Sequence, residues 1–373
     1  MTLAEYHRLE PTPIRVDDET FRYTVKPGVR DHDAVHPAIR LMLERAELGG
    51  EHLIDATGGL GVLALFADAE RVTVLDPSRA ALRCSQETFT GDDRVTIAAG
   101  SSWYAPPTSA DRIFLLPATD RGNARVSADL RGAHAALSGG GVAYVAMHKD
   151  QGAKRYEKQL AALFGEVDVL AKKAGWRLVR AKKIKTETEA VEARTFNAAD
   201  LTLEAEPGVF ASGKLDPGTA LLLATLDLRE TAGQRLLDLG CGYGVIGLKA
   251  SLAGAAVTAL DDDVLAVKST HRNAARYGLD VRSLHSDVDS ALKDDARFDV
   301  VLSNPPFHVG KQVRLELPRV FIAAARKHLV PGGVFTLVAN KALPYEQELS
   351  TWATVATIAE SPQYKVLQAV KHS

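Results

Sequence analysis

Short apolar runs alternate along the chain with longer stretches in which apolar positions recur every three or four residues. The short runs, closed by a polar residue, glycine or proline, have the pattern of strands buried on both faces. The longer stretches have the period of amphipathic helices. Their alternation predicts an α/β fold, a mostly parallel sheet with helices on both faces. In the second half the expected strands are 235–238, 256–261, 281–285, 299–303 and 334–339, with helices at 245–252, 264–277 and 319–329. In the first half the expected strands are 52–55, 71–76, 95–98, 113–116 and 142–147, and the stretch 156–173 reads as a helix.

The two halves also match residue by residue. Segment 52–61 (HLIDATGGLG) resembles 235–244 (RLLDLGCGYG), and 72–76 (VTVLD) resembles 257–261 (VTALD). Likewise 111–117 (DRIFLLP) pairs with 299–305 (DVVLSNP), 140–149 (GGVAYVAMHK) with 332–341 (GGVFTLVANK), and 27–29 with 207–209 (both PGV). The matches keep their order and nearly their spacing, so one unit is written twice. The expected domains are 1–188 and 189–373, with the junction inside 185–191.

The strand pattern 298–303 (FDVVLS) runs into Asn304-Pro305-Pro306-Phe307. Proline cannot continue a ladder, so the chain leaves the sheet there. That places the four residues at the carboxyl end of a strand, where ligands bind in open α/β sheets. Asn304 offers a side-chain carbonyl and Pro305 a backbone carbonyl. Two such acceptors hold both hydrogens of a planar exocyclic amine and return its lone pair to nitrogen, while Phe307 offers a face for a base to stack on. A strand-ending turn with an ordinary core phenylalanine fits the same four residues.

The rest of the second half decides between these readings. Asp238-Leu-Gly240-Cys241-Gly242-Tyr-Gly244 joins the first strand to the first helix. It is not the Gly-x-Gly-x-x-Gly of dinucleotide sites, and an acid before the glycines suits an amino group better than a pyrophosphate. Asp261 ends the second strand, where an acid accepts from ribose hydroxyls. Asp287 ends the third, placed to accept from an adenine amine. Each acid alone also reads as a helix cap or a turn residue. All three, at successive strand ends and followed by Asn-Pro-Pro-Phe, fit S-adenosylmethionine.

At this point a resemblance is plain. Residues 200–373 resemble the S-adenosylmethionine-dependent methyltransferases of amino groups, which carry Asn/Asp-Pro-Pro-aromatic after the fourth strand. Segments 207–219 (PGVFASGKLDPGT), 303–308 (SNPPFH) and 338–345 (VANKALPY) are similar to those of bacterial ribosomal RNA guanine-N2 methyltransferases. The tandem layout resembles the RsmC-type small-subunit enzymes. The resemblance implies two tandem Rossmann-like class I methyltransferase domains, and methylation of the N2 amine of one guanine in 16S ribosomal RNA. It also implies the assembled small subunit as substrate. On this reading Asn304, Pro305 and Phe307 are catalytic. Thr219, Asp238, Gly240, Cys241, Gly242, Asp261, Asp262, Asp287 and Asn304 are the cofactor-binding candidates. No strong general base is evident: His308 is the titratable residue nearest the motif and reads rather as a surface histidine beyond the turn. The target base must be unpaired or flipped out to enter.

The first copy departs at the chemistry. Leu116 stands where the second copy has Asn304, Thr119 where it has Phe307, and Thr57 where it has Gly240. Residues 1–188 are therefore expected to keep the fold without methylating, and to serve RNA or ribosome docking and structural support. A net charge of −2 leaves any basic surface local. The candidates are Lys172, Lys173, Arg177, Arg180, Lys182, Lys183 and Lys185, joined by Lys149, Lys154, Arg155 and Lys158.

Two cysteines, Cys84 and Cys241, are in no metal-type spacing and form no disulfide framework. No apolar stretch of about 18 residues occurs, and the N-terminus lacks a signal-peptide core. A cytoplasmic monomer without a metal is expected. The motif also admits a 23S-directed guanine, an adenine-N6 or a protein-glutamine methyltransferase. A reading from another class is a non-catalytic RNA-binding assembly factor.

Overall fold

The computed structural model describes residues 1–16, 19–30, 34–306, 308–309, 312–313 and 316–373. Its contacts divide into two units, Arg8–Glu192 and Ala193–Ser373 together with Met1–His7. The division at 192/193 lies beyond the expected 188/189. Residues 1–7 belong with the second unit, not with the first as the sequence order implied. Tyr6 is buried in the same core cluster as Phe321 and Trp352, and His7 is paired with buried acids of that unit. Buried area and paired charge outweigh chain proximity there.

In the first unit the sheet strands, in chain order, are Gly49–Ala56, Asp68–Asp76, Val95–Ala99, Ala110–Leu115, Leu137–His148, Gly165–Lys173 and Trp176–Lys183. Numbered one to seven, they lie in the order 3-2-1-4-5-7-6. The first five pair in parallel, and the last two form an antiparallel hairpin against the fifth. The second unit repeats this order with Arg235–Leu239, Ala256–Asp261, Val281–His285, Phe298–Ser303, Leu329–Asn340, Ala353–Glu360 and Tyr364–Lys371. Helices Val245–Leu252, Val264–Arg276 and Glu316–His328 fall between strands as expected.

The same lock recurs at the base of both sheets. The Asp111 carboxylate accepts from the His52 amide at 2.7 Å, and that of Asp299 from the Arg235 amide at 2.9 Å. Each ties the start of the fourth strand to the start of the first. Strand order reverses between these two strands, so the crevice for a ligand opens at their carboxyl ends.

Two expectations fail at the sheet edge. The stretch 156–173 is not one helix: helix Ala153–Phe164 stops at Gly165, whose φ is +100°, and Gly165–Lys173 continues as an edge strand. Glycine at a helix end removes the Cβ penalty of that conformation. The sixth and seventh strands of each unit also went unseen. The sixth is an edge strand, largely exposed, so it lacks the apolar run by which the buried parallel strands announce themselves.

Leu237 lies fully buried in the first strand of the second unit. Leu237→Ala is expected to cost that unit about 2–5 kcal/mol, read as a lower urea midpoint, whereas Thr357→Ala on the half-exposed edge strand changes it by less than about 1 kcal/mol.

Candidate functional site

The glycine turn of the second unit is pinned from beneath. The amides of Gly240 and Cys241 both donate to the Leu260 carbonyl at 2.9 Å. Gly240, Gly242 and Gly244 have φ of +83°, +58° and +89°, conformations that side chains with a Cβ resist. A Cβ at Gly244 would strike Thr270, and one at Gly240 would press on Phe321, but one at Gly242 would meet nothing within 4 Å. The turn is closed on its protein side and open at Gly242.

Three acids surround this opening. Asp238 is fully buried; one oxygen accepts from the Gly247 amide at 2.8 Å, and the other has no hydrogen-bond partner among the described residues. Burial pushes its carboxyl up to about 7, opposed by the Gly247 amide and aided by the charge of Asp261. Asp261 accepts from the Gly242 amide at 2.8 Å and from the Asp263 amide at 2.9 Å. Asp262 is half-buried beside it, and its carbonyl bonds His285. The Ser286 amide donates to the Asp261 carbonyl at 2.8 Å, which brings Asp287 against this corner. The Asp287 carboxylate is fully buried and faces His7 at 3.5 Å. Cys241 is buried, its thiol beside Thr270 and pushed well up by burial, so it remains a neutral thiol that packs under the turn.

Asn304 completes the site from the fourth strand. Its amide nitrogen donates to Asp216 Oδ2 at 3.0 Å and to Thr219 Oγ1 at 2.9 Å. A carboxylate only accepts, so the NH₂ end of the amide must point at Asp216 and the carbonyl must point away. The same Asp216 oxygen accepts from the Thr219 amide at 2.9 Å and caps helix Pro217–Thr225. Ser303, one residue earlier, donates to the Leu239 carbonyl at 2.6 Å and fastens the fourth strand end to the first. Pro305 is buried behind Asn304. Phe307 and the His308 side chain lie outside the described residues. Asp216 was not among the expected residues, although Asp-Pro at a helix start is a legible cap signal; its second bond, to Asn304, is not.

The first unit carries the same corner with apolar residues in place of Thr219 and Asn304. His36, Pro37 and Ile39 occupy the places of Asp216, Pro217 and Thr219, and Leu116 that of Asn304. Ile39 and Leu116 share one apolar core cluster. A Cβ at Gly59, the counterpart of Gly242, would lie 2.0 Å from the Ile39 side chain. The opening over the turn is thus filled. Asp55 keeps the place of Asp238: one oxygen accepts from both the amide and the hydroxyl of Thr57, and the other, as in Asp238, has no hydrogen-bond partner among the described residues. Ser101 stands for Asp287 and bonds Asp129 at 2.8 Å.

The basic group at 172–185 is largely spent inside the first unit. Lys173 pairs with Glu44, Arg177 with Glu157, and Arg180 with Glu166 and Asp168. Lys183 and Lys185 donate to the carbonyls of Leu137 and Ala162. For Lys173, Arg177, Arg180, Lys183 and Lys185 a phosphate contact would have to exchange with one of these partners. Among the described residues no His, Cys, Asp and Glu group has the arrangement of a metal site, and no helix is long and apolar enough to cross a membrane.

The raised carboxyl of Asp238 has a signed consequence. Between the ordinary value near 3.8 and about 7 the folded chain holds a proton that the unfolded chain has lost. Stability therefore falls as pH rises through that window, by on the order of 4 kcal/mol in all, and is flat above it. Asp238→Asn is expected to flatten that slope in denaturant titrations between pH 4 and 7.

A family model described as the methyltransferase small domain matches residues 20–180 and again 200–368. The ribosomal RNA small subunit methyltransferase C of Chromohalobacter salexigens is 39% identical over 243 residues, 64% of this chain and 72% of that protein. Its namesake from Actinobacillus pleuropneumoniae serotype 7 is 38% identical over 179 residues, 47% of this chain and 54% of that protein. Among solved structures, the Thermus thermophilus 16S rRNA N2 G1207 methyltransferase (RsmC), in complex with AdoMet and guanosine, is 35% identical over 100% of both chains, with a TM-score of 0.88. Two turns of one methyltransferase fold, matched end to end by that enzyme, place this chain in the ribosomal RNA small subunit methyltransferase C family.

Proposed function

We propose that the second unit transfers the methyl group of S-adenosylmethionine to the N2 amine of a guanine in 16S ribosomal RNA, at the position equivalent to G1207 of the Thermus thermophilus enzyme. The observation that carries this reading is the enforced orientation of Asn304, whose carbonyl faces away from Asp216 and Thr219. Guanosine bound to that relative and the small-subunit names of the others favour it over the 23S, adenine-N6 and protein-glutamine readings. The polar corner kept in the second unit disfavours a non-catalytic assembly factor. Ribosomal RNA as substrate implies a cytoplasmic protein.

The residues fit the cofactor. The space at Gly242 admits a ligand against the backbone, and the unpartnered Asp238 oxygen suits the cationic amine of a methionine tail. Asp261 and Asp262 would hold the ribose and Asp287 the adenine amine. When bound, S-adenosylmethionine supplies a methyl group already made electrophilic by its sulfonium. What remains for the protein is alignment. The Asn304 and Pro305 carbonyls accept the two N2 hydrogens and turn the nitrogen lone pair toward the methyl, and Phe307 stacks on the base. The proton leaves to solvent once nitrogen has become cationic. In the first unit Leu116 offers no acceptor and Ile39 fills the space over the glycine turn, so that unit supports or docks without methylating.

Ribosomes from a strain lacking this gene are expected to lose one guanine methylation in 16S RNA by mass mapping, restored by the parent gene and not by Asn304→Ala. An unchanged modification map would refute the assignment. In vitro, Asn304→Ala is expected to lower kcat by at least about a hundredfold with cofactor affinity near that of the parent.

Asp216 admits a sharper test. Asp216→Ser keeps a helix-capping oxygen but not the reach to Asn304. It is expected to hold the parent's thermal midpoint while kcat falls about tenfold or more. Equal kcat would show that the Asn304 carbonyl needs no such brace.

A further inference from the structure

The first seven residues contribute a side chain to the second unit's cofactor corner. Helix Leu3–His7 is anchored by Tyr6, which is buried and lies edge-on to the His7 ring at 5.1 Å. His7 Nε2 lies 2.7 Å from Asp289 Oδ1, and its Nδ1 lies 3.5 Å from Asp287 Oδ2. Both carboxylates are essentially inaccessible, at 0% and 3% side-chain exposure. They are separated by Val288, whose φ of +54° is a strained conformation for a β-branched residue. The turn is pinned on every side: the Asp287 amide donates to Ser290 Oγ, the Ala291 amide to Ser286 Oγ, and Ser286 Oγ to the Val288 carbonyl. Strain held this firmly marks a position whose geometry matters.

Asp289 is also tied elsewhere. Its second oxygen bonds His328 Nε2 and Lys327 Nζ, both at 3.1 Å, on helix Glu316–His328, and Lys327 reaches Asp294 as well. Two buried carboxylates two residues apart repel each other, and a cationic imidazole between them offsets that repulsion and bonds both. Burial alone would lower the His7 titration, but hydrogen bonds and charge from Asp287 and Asp289 outweigh it and raise it.

We propose that His7 is a positioning residue of the cofactor site, an N-terminal strap that holds the Asp287 carboxylate turned to accept from the adenine amine. The inference rests on the reading of Asp287 as the adenine acid. Its sign with pH follows from the raised titration. The clamp is complete below the ordinary histidine value and is lost as pH rises through the folded value, because a neutral ring has one N–H for two carboxylates.

The test uses the full chain and S-adenosylhomocysteine, with its purine-riboside analogue, which has hydrogen in place of the amine, as control. Binding of each is measured by calorimetry to the parent, His7→Ala, His7→Gln and Asp287→Asn. His7→Ala is expected to weaken S-adenosylhomocysteine about tenfold, with His7→Gln between it and the parent and the purine-riboside analogue bound alike by all four. In the parent, affinity for the adenosyl ligand falls as pH rises through the His7 titration; in His7→Ala this component is absent. If Asp287→Asn weakens binding and both His7 variants do not, the strap is refuted and the adenine acid stands. If Asp287→Asn binds like the parent, the adenine assignment fails and the inference falls with it. Equal loss of both ligands in the His7 variants would mean a folding role only and would also overturn it. Should His7→Ala fail to fold, His7→Gln, which retains a neutral donor, decides by the same comparison.

Discussion

The Asn304 amide is useful only if its two ends are told apart, and the carboxylate of Asp216 does this. Asp216 accepts from the Asn304 NH₂ group with the same oxygen that caps the helix following it. A neutral partner, with both a donor and an acceptor, would permit either orientation of the amide. A carboxylate permits one. Thr219 adds a second acceptor, and Ser303 fastens the strand end on which Asn304 sits. A capping interaction worth about 1 kcal/mol in an ordinary helix here also fixes the polarity of a reactive corner.

The duplicate shows the same scaffold with that constraint released. Its sheet has the same strand order and its base carries the same aspartate-to-amide lock. The changes gather at the carboxyl ends of the strands. Ile39 and Leu116 join an apolar core where Thr219 and Asn304 make hydrogen bonds. Burying such side chains contributes roughly 1.5–3 kcal/mol each, so the apolar replacements strengthen the packing of that copy. Thr57 illustrates the exchange in one residue: where the second copy has Gly240 at a φ of +83°, the first places a hydroxyl that bonds the buried Asp55.

Much of this was written in local order along the chain. The buried strands, the helices between them, the duplication, the glycine turn and the Asn-Pro-Pro-Phe turn all follow from short-range periodicity and turn chemistry. The acids 238, 261 and 287 were legible because strand ends are legible. The edge strands were not, because a strand largely exposed to solvent has no run of apolar residues to announce it. The pairing of the lysine and arginine cluster was hidden for a related reason. A charge pattern counts cations, whereas Glu44, Glu157 and Glu166, which pair with several of them, sit on other elements.

Sequence by itself thus determined the repeated α/β frame and the residue types at the ends of its strands, because each of these is set within a few neighbours. Only the tertiary structure decided that Asp216 governs Asn304, 88 residues away, and that Ile39 closes the vacant copy. It alone assigned residues 1–7 to the unit built by the far end of the chain, with His7 against an acid 282 positions later. Contacts over such separations leave no period in the sequence. They exist only where folding makes buried area and paired charge outweigh the entropy of closing the loop.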